Sequence, residues 1–324
     1  MLSLLTQSPP PTTAEENETK MPQAEKKTKS GASSLASSMN STSVNSSVWQ
    51  RSTLGYKERF VDDFEFNNIR VRQFPCRAVF ERTVWDVFGS SFATDNHLAS
   101  TKSYDDEVDK DRVPDTAFTV WESSVLLGMY ASRKDVWKRL VGTRKLHHSS
   151  RPIVTLELGS GTGFASLLVA TSEVVSENKC DCQVVMTDLP STINFTRLNV
   201  HANIDKIPGN AVVVTQPLRW GRIEDINALP KDISRPDIIF GADLLYTCDE
   251  SVIFALAETV VLLTGRVAVF AVCKQHRPKS ITFFLSLVKS CFDIRHIPAS
   301  TAHDDLMASD EDFGIIELWR KKLR

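Results

Sequence analysis

Val154-Thr-Leu-Glu-Leu-Gly-Ser-Gly-Thr-Gly163 is the stretch that decides the fold. An apolar run containing Glu157 passes into glycines at alternate positions, Gly159, Gly161 and Gly163, and helix-compatible sequence follows from Phe164. That order predicts a buried parallel strand, a turn without side chains and a helix N-terminus. Glycine admits positive φ there and lets a ligand come close to the backbone. In a doubly wound sheet this place, outside the carboxyl ends of the strands, holds an adenosine-type cofactor. The spacing narrows the choice. A dinucleotide fingerprint runs Gly-x-Gly-x-x-Gly, but here the third glycine comes one residue early and Phe164 stands in its place. The Lys-Ser/Thr pair of a P-loop is missing as well.

Working outward, Cys182-Gln-Val-Val-Met-Thr-Asp188 is a second short apolar run ending in an acid, about one βαβ unit downstream. A carboxylate at the tip of a second strand can accept both hydroxyls of a ribose. The other reading is an Asp that caps the helix starting near Pro190. Further strands are expected at 211–215, 236–243 and 266–273, with helices over 118–130, 164–175, 191–203, 251–263 and 281–291. Short strands at 293–297 and 315–320 close the chain. Strand–helix alternation argues for a parallel three-layer sheet, and the last two strands for an antiparallel finish. Upstream, Phe64-Glu-Phe66 and Ile69-Arg-Val71 alternate around Asn67-Asn68, a hairpin signal.

Composition sets the frame. The 324 residues carry a net charge of −2, so nothing global points to nucleic acid or a membrane surface. No apolar run reaches a membrane span. The six cysteines form no framework, and Cys180-Asp-Cys182 has no His pair beside it, so free thiols and no metal are expected. His147-His148 and His276 have no metal-ligand company either. Residues 1–55 are rich in Ser, Thr and Pro and are expected to be a disordered tail. Residues 56–117 comprise the hairpin and a mobile polar insertion around 94–115, and 118–324 the α/β domain. No arginine precedes Arg51, which argues against a mitochondrial presequence. The expectation is a cytoplasmic protein, also nuclear, and a monomer.

Further clusters give the set its specificity: Val120-Trp121-Glu122, Asn199-Val-His-Ala-Asn203, Trp220-Gly221 and Gly241-Ala-Asp-Leu-Leu-Tyr246. With Glu157-Leu-Gly-Ser-Gly-Thr-Gly163 and Thr187-Asp188-Leu-Pro190, the chain from about Phe60 to Leu323 resembles the class I S-adenosylmethionine-dependent methyltransferases. Within them it resembles the methyltransferase-like 21 group of protein-lysine methyltransferases. The resemblance implies an α/β fold, doubly wound around a mostly parallel seven-stranded sheet, with a small N-terminal β-hairpin extension. It implies S-adenosyl-L-methionine as cofactor and a lysine of a protein as methyl acceptor.

Carried over by position, Trp121 borders the methionine end of the pocket. Glu157, Gly159, Ser160, Gly161 and Gly163 form the cofactor turn, Asp188 takes the ribose, Trp220 packs beside the adenine and Ala242 lines the pocket. Asp243 and Tyr246 are the expected catalytic pair, Asp243 orienting the amine and Tyr246 offering a ring face or hydroxyl. Taken by themselves, Trp121 and Trp220 also suit an ordinary core, and Asp243 a cap for the helix near Asp249. Asn199 and Asn203 are expected to hold the second helix against the sheet rather than to act in catalysis. Arg277 either contacts substrate or braces the rim. Ser123-Ser124 replaces the small apolar residues usual in that group, and neither the Ser-rich head nor the 94–115 insertion is typical of it. Other acceptors (a protein histidine, a small molecule) and an inactive cofactor-binding scaffold remain alternatives. No membrane or nucleic-acid partner is expected.

Overall fold

The computed structural model describes residues 63–74, 115–142, 151–178, 180–275, 278–303 and 308–322. The tail, most of the insertion, His147-His148, His276 and Arg277 lie outside the described residues. The elements run β1 (Phe64–Phe66), β2 (Ile69–Val71), α1 (Glu122–Ala131), α2 (Lys134–Val141), β3 (Ile153–Leu158), α3 (Phe164–Ala170), α4 (Glu173–Ser176), β4 (Cys182–Asp188) and α5 (Ile193–His201). They continue as β5 (Ala211–Pro217), α6 (Ile223–Ala228), β6 (Ile238–Ala242), α7 (Glu250–Leu263), β7 (Val267–Cys273), α8 (Pro278–Val288), β8 (Phe292–Pro298) and β9 (Phe313–Arg320).

Strands β3 to β9 form one seven-stranded sheet in the order β5-β4-β3-β6-β7-β9-β8. The first five are parallel, and β9 pairs antiparallel with both β7 and β8. The α/β class, the mostly parallel seven-stranded sheet, its antiparallel finish and the N-terminal hairpin therefore match the sequence reading. The pleat explains the layering. In β3, Val154, Leu156 and Leu158 join one apolar layer with α7 and α8, while Ile153 joins the other with α1 and α3. Strand order reverses beside β3, since β4 and β5 lie on one side and β6 and β7 on the other. The crevice at this switch point is where such sheets take ligands.

Four elements differ from expectation. Helix 164–175 is broken after Ala170, because Thr171 Oγ1 donates to the Leu167 carbonyl (2.9 Å) and Ser172 Oγ to that of Val169 (2.6 Å), which ends the turn. The helix expected over 118–130 starts only at Glu122, for Asp115–Phe118 is a separate 3₁₀ turn. Helices α2 and α6 were not expected, although Val136, Trp137, Leu140 and Val141 of α2 carry the buried stripe of an amphipathic helix.

Asn199 and Asn203 are structural, as expected, but what they hold is the hairpin. Asn203 Oδ1 accepts from Arg70 N (3.2 Å) and its Nδ2 donates to the Arg70 carbonyl (2.8 Å), as a neighbouring strand would. Asn199 Oδ1 accepts from Arg72 N (2.9 Å). Phe64 and Phe66 then pack edge-on against Phe164 at centroid distances of 5.0 and 6.4 Å. Asn203→Ala removes both bonds to Arg70 and is expected to destabilise the protein by about 2 kcal/mol. A urea-unfolding midpoint indistinguishable from that of the unaltered protein would contradict this arrangement.

Candidate active site

The crevice at the carboxyl ends of β3, β4 and β6 opens into a cavity of about 450 Å³, within the range of small-molecule sites. Its floor is the glycine turn. Gly161 has φ +50°, and a Cβ there would lie 2.9 Å from the Ala117 carbonyl oxygen, so a side chain is excluded twice over. At Gly159 a Cβ would meet Leu244 at 2.7 Å and the Trp220 indole at 3.1 Å. The turn's polar backbone groups are tied to their surroundings. Ser160 N donates to the Thr187 carbonyl (2.9 Å), Thr196 Oγ1 to that of Gly161 (2.7 Å) and Asn199 Nδ2 to that of Thr162 (3.1 Å).

Asp188, at the tip of β4, accepts from Gly161 N through Oδ2 and from Leu189 N through Oδ1, each at 2.7 Å. Burial pushes its carboxyl up, against the pull of those two amides and of the Thr192 hydroxyl. Each carboxylate oxygen has two acceptor sites, so acceptor capacity beyond these amides and the Thr192 hydroxyl is left for a donor on the cavity side. Ser160 Oγ is buried with no partner among the described residues. A ribose diol and a polar ligand group against the turn therefore fit this donor and acceptor set. Leu218 and Trp220 give an apolar surface after β5, and Thr116, Thr119 and Ser124 give a hydroxyl-bearing one.

At the tip of β6, Asp243 adopts φ +56°, an uncommon conformation for a residue with a Cβ. Both its amide and its side chain are held by β7: Asp243 N donates to the Ala271 carbonyl (2.8 Å), and Oδ1 accepts from Cys273 N (3.4 Å). Asp243 does not cap α7; Asp249 does so by accepting from Ser251 N (2.9 Å). Tyr246 stands at the mouth, 40% exposed. Trp121 precedes α1 in extended conformation, its indole Nε1 donating to the Thr116 carbonyl (2.8 Å).

The structure thus brings Trp121, Gly159, Ser160, Gly161, Asp188, Trp220, Ala242, Asp243 and Tyr246 around one cavity. It sets Glu157 and Gly163 apart from the cavity wall. Glu157 lies on the β3 face that looks toward α3 and accepts from Ser166 N (3.2 Å). Gly163 is the N-cap of α3, with Met186 and Thr196 where a Cβ would be. Sequence reading missed Thr116, Ala117, Thr119, Thr192 and Arg219 on the wall. No motif marks the first three; Thr116 and Ala117 reach the cavity through a 3₁₀ turn and Thr119 follows it directly. Arg219 is fixed by both oxygens of Asp225 (2.8 and 3.0 Å), six residues on. Among the described residues no group of three potential metal ligands occurs.

Glu157 gives this site a pH signature. Burial, with a smaller contribution from the Asp188 charge, raises its carboxyl to about 7, and the Ser166 bond only partly opposes this. An acid raised on folding stabilises the fold fully below its unfolded pKa and loses that contribution as pH climbs through the folded value. The displacement from 4.5 to about 7 corresponds to about 3 kcal/mol. Glu157→Gln, which keeps an acceptor for Ser166 N, is expected to be more stable than the unaltered protein at pH 8.5 by up to that amount. The advantage should vanish near pH 4.5. Parallel pH profiles of the two proteins in urea unfolding would refute it.

The chain is similar in sequence to known proteins. A family model described as lysine methyltransferase matches residues 102–291. The protein N-lysine methyltransferase METTL21A of Xenopus tropicalis is 28% identical over 181 residues, covering 56% of this chain and 71% of that protein. Its namesake from Danio rerio is 27% identical over 188 residues, covering 58% and 74%. Among solved structures, magnesium protoporphyrin IX methyltransferase from Synechocystis PCC 6803 with bound SAM is 14% identical with a TM-score of 0.38, covering 76% of this chain and 97% of that one.

Proposed function

The chain belongs to the lysine methyltransferase family, and on that premise we propose that it is an S-adenosylmethionine-dependent enzyme that methylates the ε-amine of a lysine in a protein substrate. The observation that supports this most is the shared cavity: Asp243 and Tyr246 line the same space as the glycine turn and Asp188. When bound, S-adenosylmethionine supplies an electrophilic methyl group on a sulfonium sulfur. Asp188 would hold the ribose hydroxyls with the acceptor capacity that Gly161, Leu189 and Thr192 leave open. Leu218 and Trp220 would flank the adenine. The wall of Thr116, Thr119 and Ser124 would border the charged methionine end beside Trp121.

The chain's remaining task concerns the amine. A lysine ammonium has no lone pair, and with a reference pKa near 10.4 only about one part in a thousand is neutral near pH 7.4, a deficit of about 4 kcal/mol. Removing the ammonium from water against the Trp121 and Tyr246 rings lowers that pKa. A facing carboxylate raises it, so Asp243 is assigned to orienting the nitrogen and receiving the amine's hydrogen bond rather than to making it neutral. Orientation by itself lowers the barrier substantially.

Two substitutions separate these roles. Asp243→Ala is expected to lower turnover by about a hundredfold or more while leaving the Kd for S-adenosylmethionine within about twofold. Asp188→Ala should weaken that Kd on the order of a hundredfold. Calorimetric titration of both variants reads the contrast directly, and loss of cofactor binding by the Asp243 variant would remove its assigned role. The acceptor is tested by incubating the protein with radiolabelled S-adenosylmethionine and a cell lysate, then mapping the labelled residue. Methyl-lysine in a protein is the expected product. Label on histidine or on a small molecule would overturn the lysine assignment.

A further inference from the structure

We propose that Gln73, where the N-terminal hairpin gives way to the rest of the chain, is a positioning residue for the methionine end of the cofactor. The inference rests on the reading of the cavity above and goes beyond it to a residue outside the cavity wall. Gln73 is buried, 4% exposed. Its Oε1 accepts two hydrogen bonds, from Thr119 Oγ1 (2.7 Å) and from Val120 N (2.9 Å). The next residue adds a third tie, Phe74 N donating to the Phe118 carbonyl (3.1 Å). The strip 73–74 thus pairs with 118–120 much as a short strand would, with one side-chain oxygen at its centre.

What that oxygen holds is the hydroxyl-bearing wall. Thr119 and Trp121 both line the cavity, and they flank Val120, whose amide Gln73 takes. A further tie on the wall's own side is the Trp121 indole bond back to the Thr116 carbonyl. The turn it closes sits directly over Gly161, with the Ala117 carbonyl oxygen where a Cβ would lie. Gln73 therefore sets the height of the wall above the glycine turn. The hairpin itself is set from beneath by Asn199, which bonds both Arg72 N and the Thr162 carbonyl of the same turn. The hairpin is thus hydrogen-bonded to the wall through Gln73 and to the turn through Asn199, and the wall packs over the turn at Ala117. Asp188, Leu218 and Trp220, which serve the adenosine end, have no hydrogen bond to Gln73. The consequence is selective: loss of the Gln73 acceptor should weaken ligands that carry the methionine chain and spare those that lack it.

Calorimetry on the full chain tests this with S-adenosylmethionine, S-adenosylhomocysteine and 5′-methylthioadenosine. Gln73→Met keeps the volume but offers no comparable acceptor, leaving the Val120 N–H buried and unpaired. It is expected to weaken the first two ligands about tenfold and methylthioadenosine less than about twofold. Gln73→Glu, which retains acceptor oxygens, should recover most of the loss. Phe66→Leu loosens the hairpin elsewhere and should lower the melting temperature without changing the ratio of affinities. Should Gln73→Met fail to fold, Thr119→Val removes one of the two donors and is expected to shift the same ratio about threefold. Equal weakening of all three ligands, or a ratio changed as much by Phe66→Leu, would overturn the assignment of Gln73. An unaltered protein that binds none of the three would overturn the cofactor reading itself, a result distinct from either.

Discussion

A backbone turn must lie bare at the strand tips and yet be rigid, and the structure meets both demands with the same neighbours. Ala117, Leu244 and Trp220 occupy the space that side chains at residues 159 and 161 would need. The polar groups left bare by glycine are taken up by β4 and α5, through Thr187, Asp188, Thr196 and Asn199. A buried backbone amide or carbonyl without a partner is costly, so these bonds dictate where α5 can begin and how β4 must end. Asp188 sits at that junction. It fixes Gly161 from one side while its remaining acceptor sites open on the cavity.

Two buried carboxylates show how differently the sheet treats charge. Glu317 of β9 is fully buried, and burial works to raise its carboxyl; Arg139, Tyr130 and Trp319 donate to it at 2.6–2.9 Å and outweigh that, holding it low. The Tyr130 hydroxyl is pushed up in turn, chiefly by burial and then by the Glu317 bond. Glu157, with only Ser166 to oppose its burial and Asp188 nearby, is raised instead. The satisfied cluster has a positional effect. Tyr130 lies near the end of α1 and Trp121 immediately before its start, so α1 is tied to β9 at one end and closes over the glycine turn at the other. The buried, poorly paired Glu157 lies in the strand that leads into the turn.

How much of this was legible in the sequence follows from the range of the interactions. The sheet was legible because each buried strand is a mostly apolar run, and because the glycine spacing and the acid at Asp188 each report on local backbone. Asp188 at its strand tip was legible for the same reason, whereas Ala242 and Asp243 were placed by the resemblance of Gly241–Tyr246 to the methyltransferase-like 21 group. Thr116, Thr119 and Gln73 were not, for their roles arise from a 3₁₀ turn and from a hydrogen bond across 46 residues. Glu157 was read as part of the turn because it precedes the glycines; strand alternation, which points it toward α3, was the signal that would have moved it. Asn199 and Asn203 were recognised as structural, but their spacing of four residues names only a helix face and not the hairpin that the face holds.

The proposed chemistry asks for a carboxylate that neither swings nor retreats, and the backbone at Asp243 supplies that. A left-handed conformation for a residue with a Cβ costs on the order of 1 kcal/mol, and it persists because β7 fixes the residue twice, at its amide and at its side chain. The carboxylate is thereby oriented by the sheet and not by a rotamer choice of its own. Such rigidity suits orientation better than proton abstraction. A fixed carboxylate near an ammonium favours the charged amine, so the neutral form must be won by the low-dielectric faces of Trp121 and Tyr246 and by release of the proton to water. Tyr246, 40% exposed at the mouth, stands on the path along which a lysine side chain would enter and along which that proton would leave.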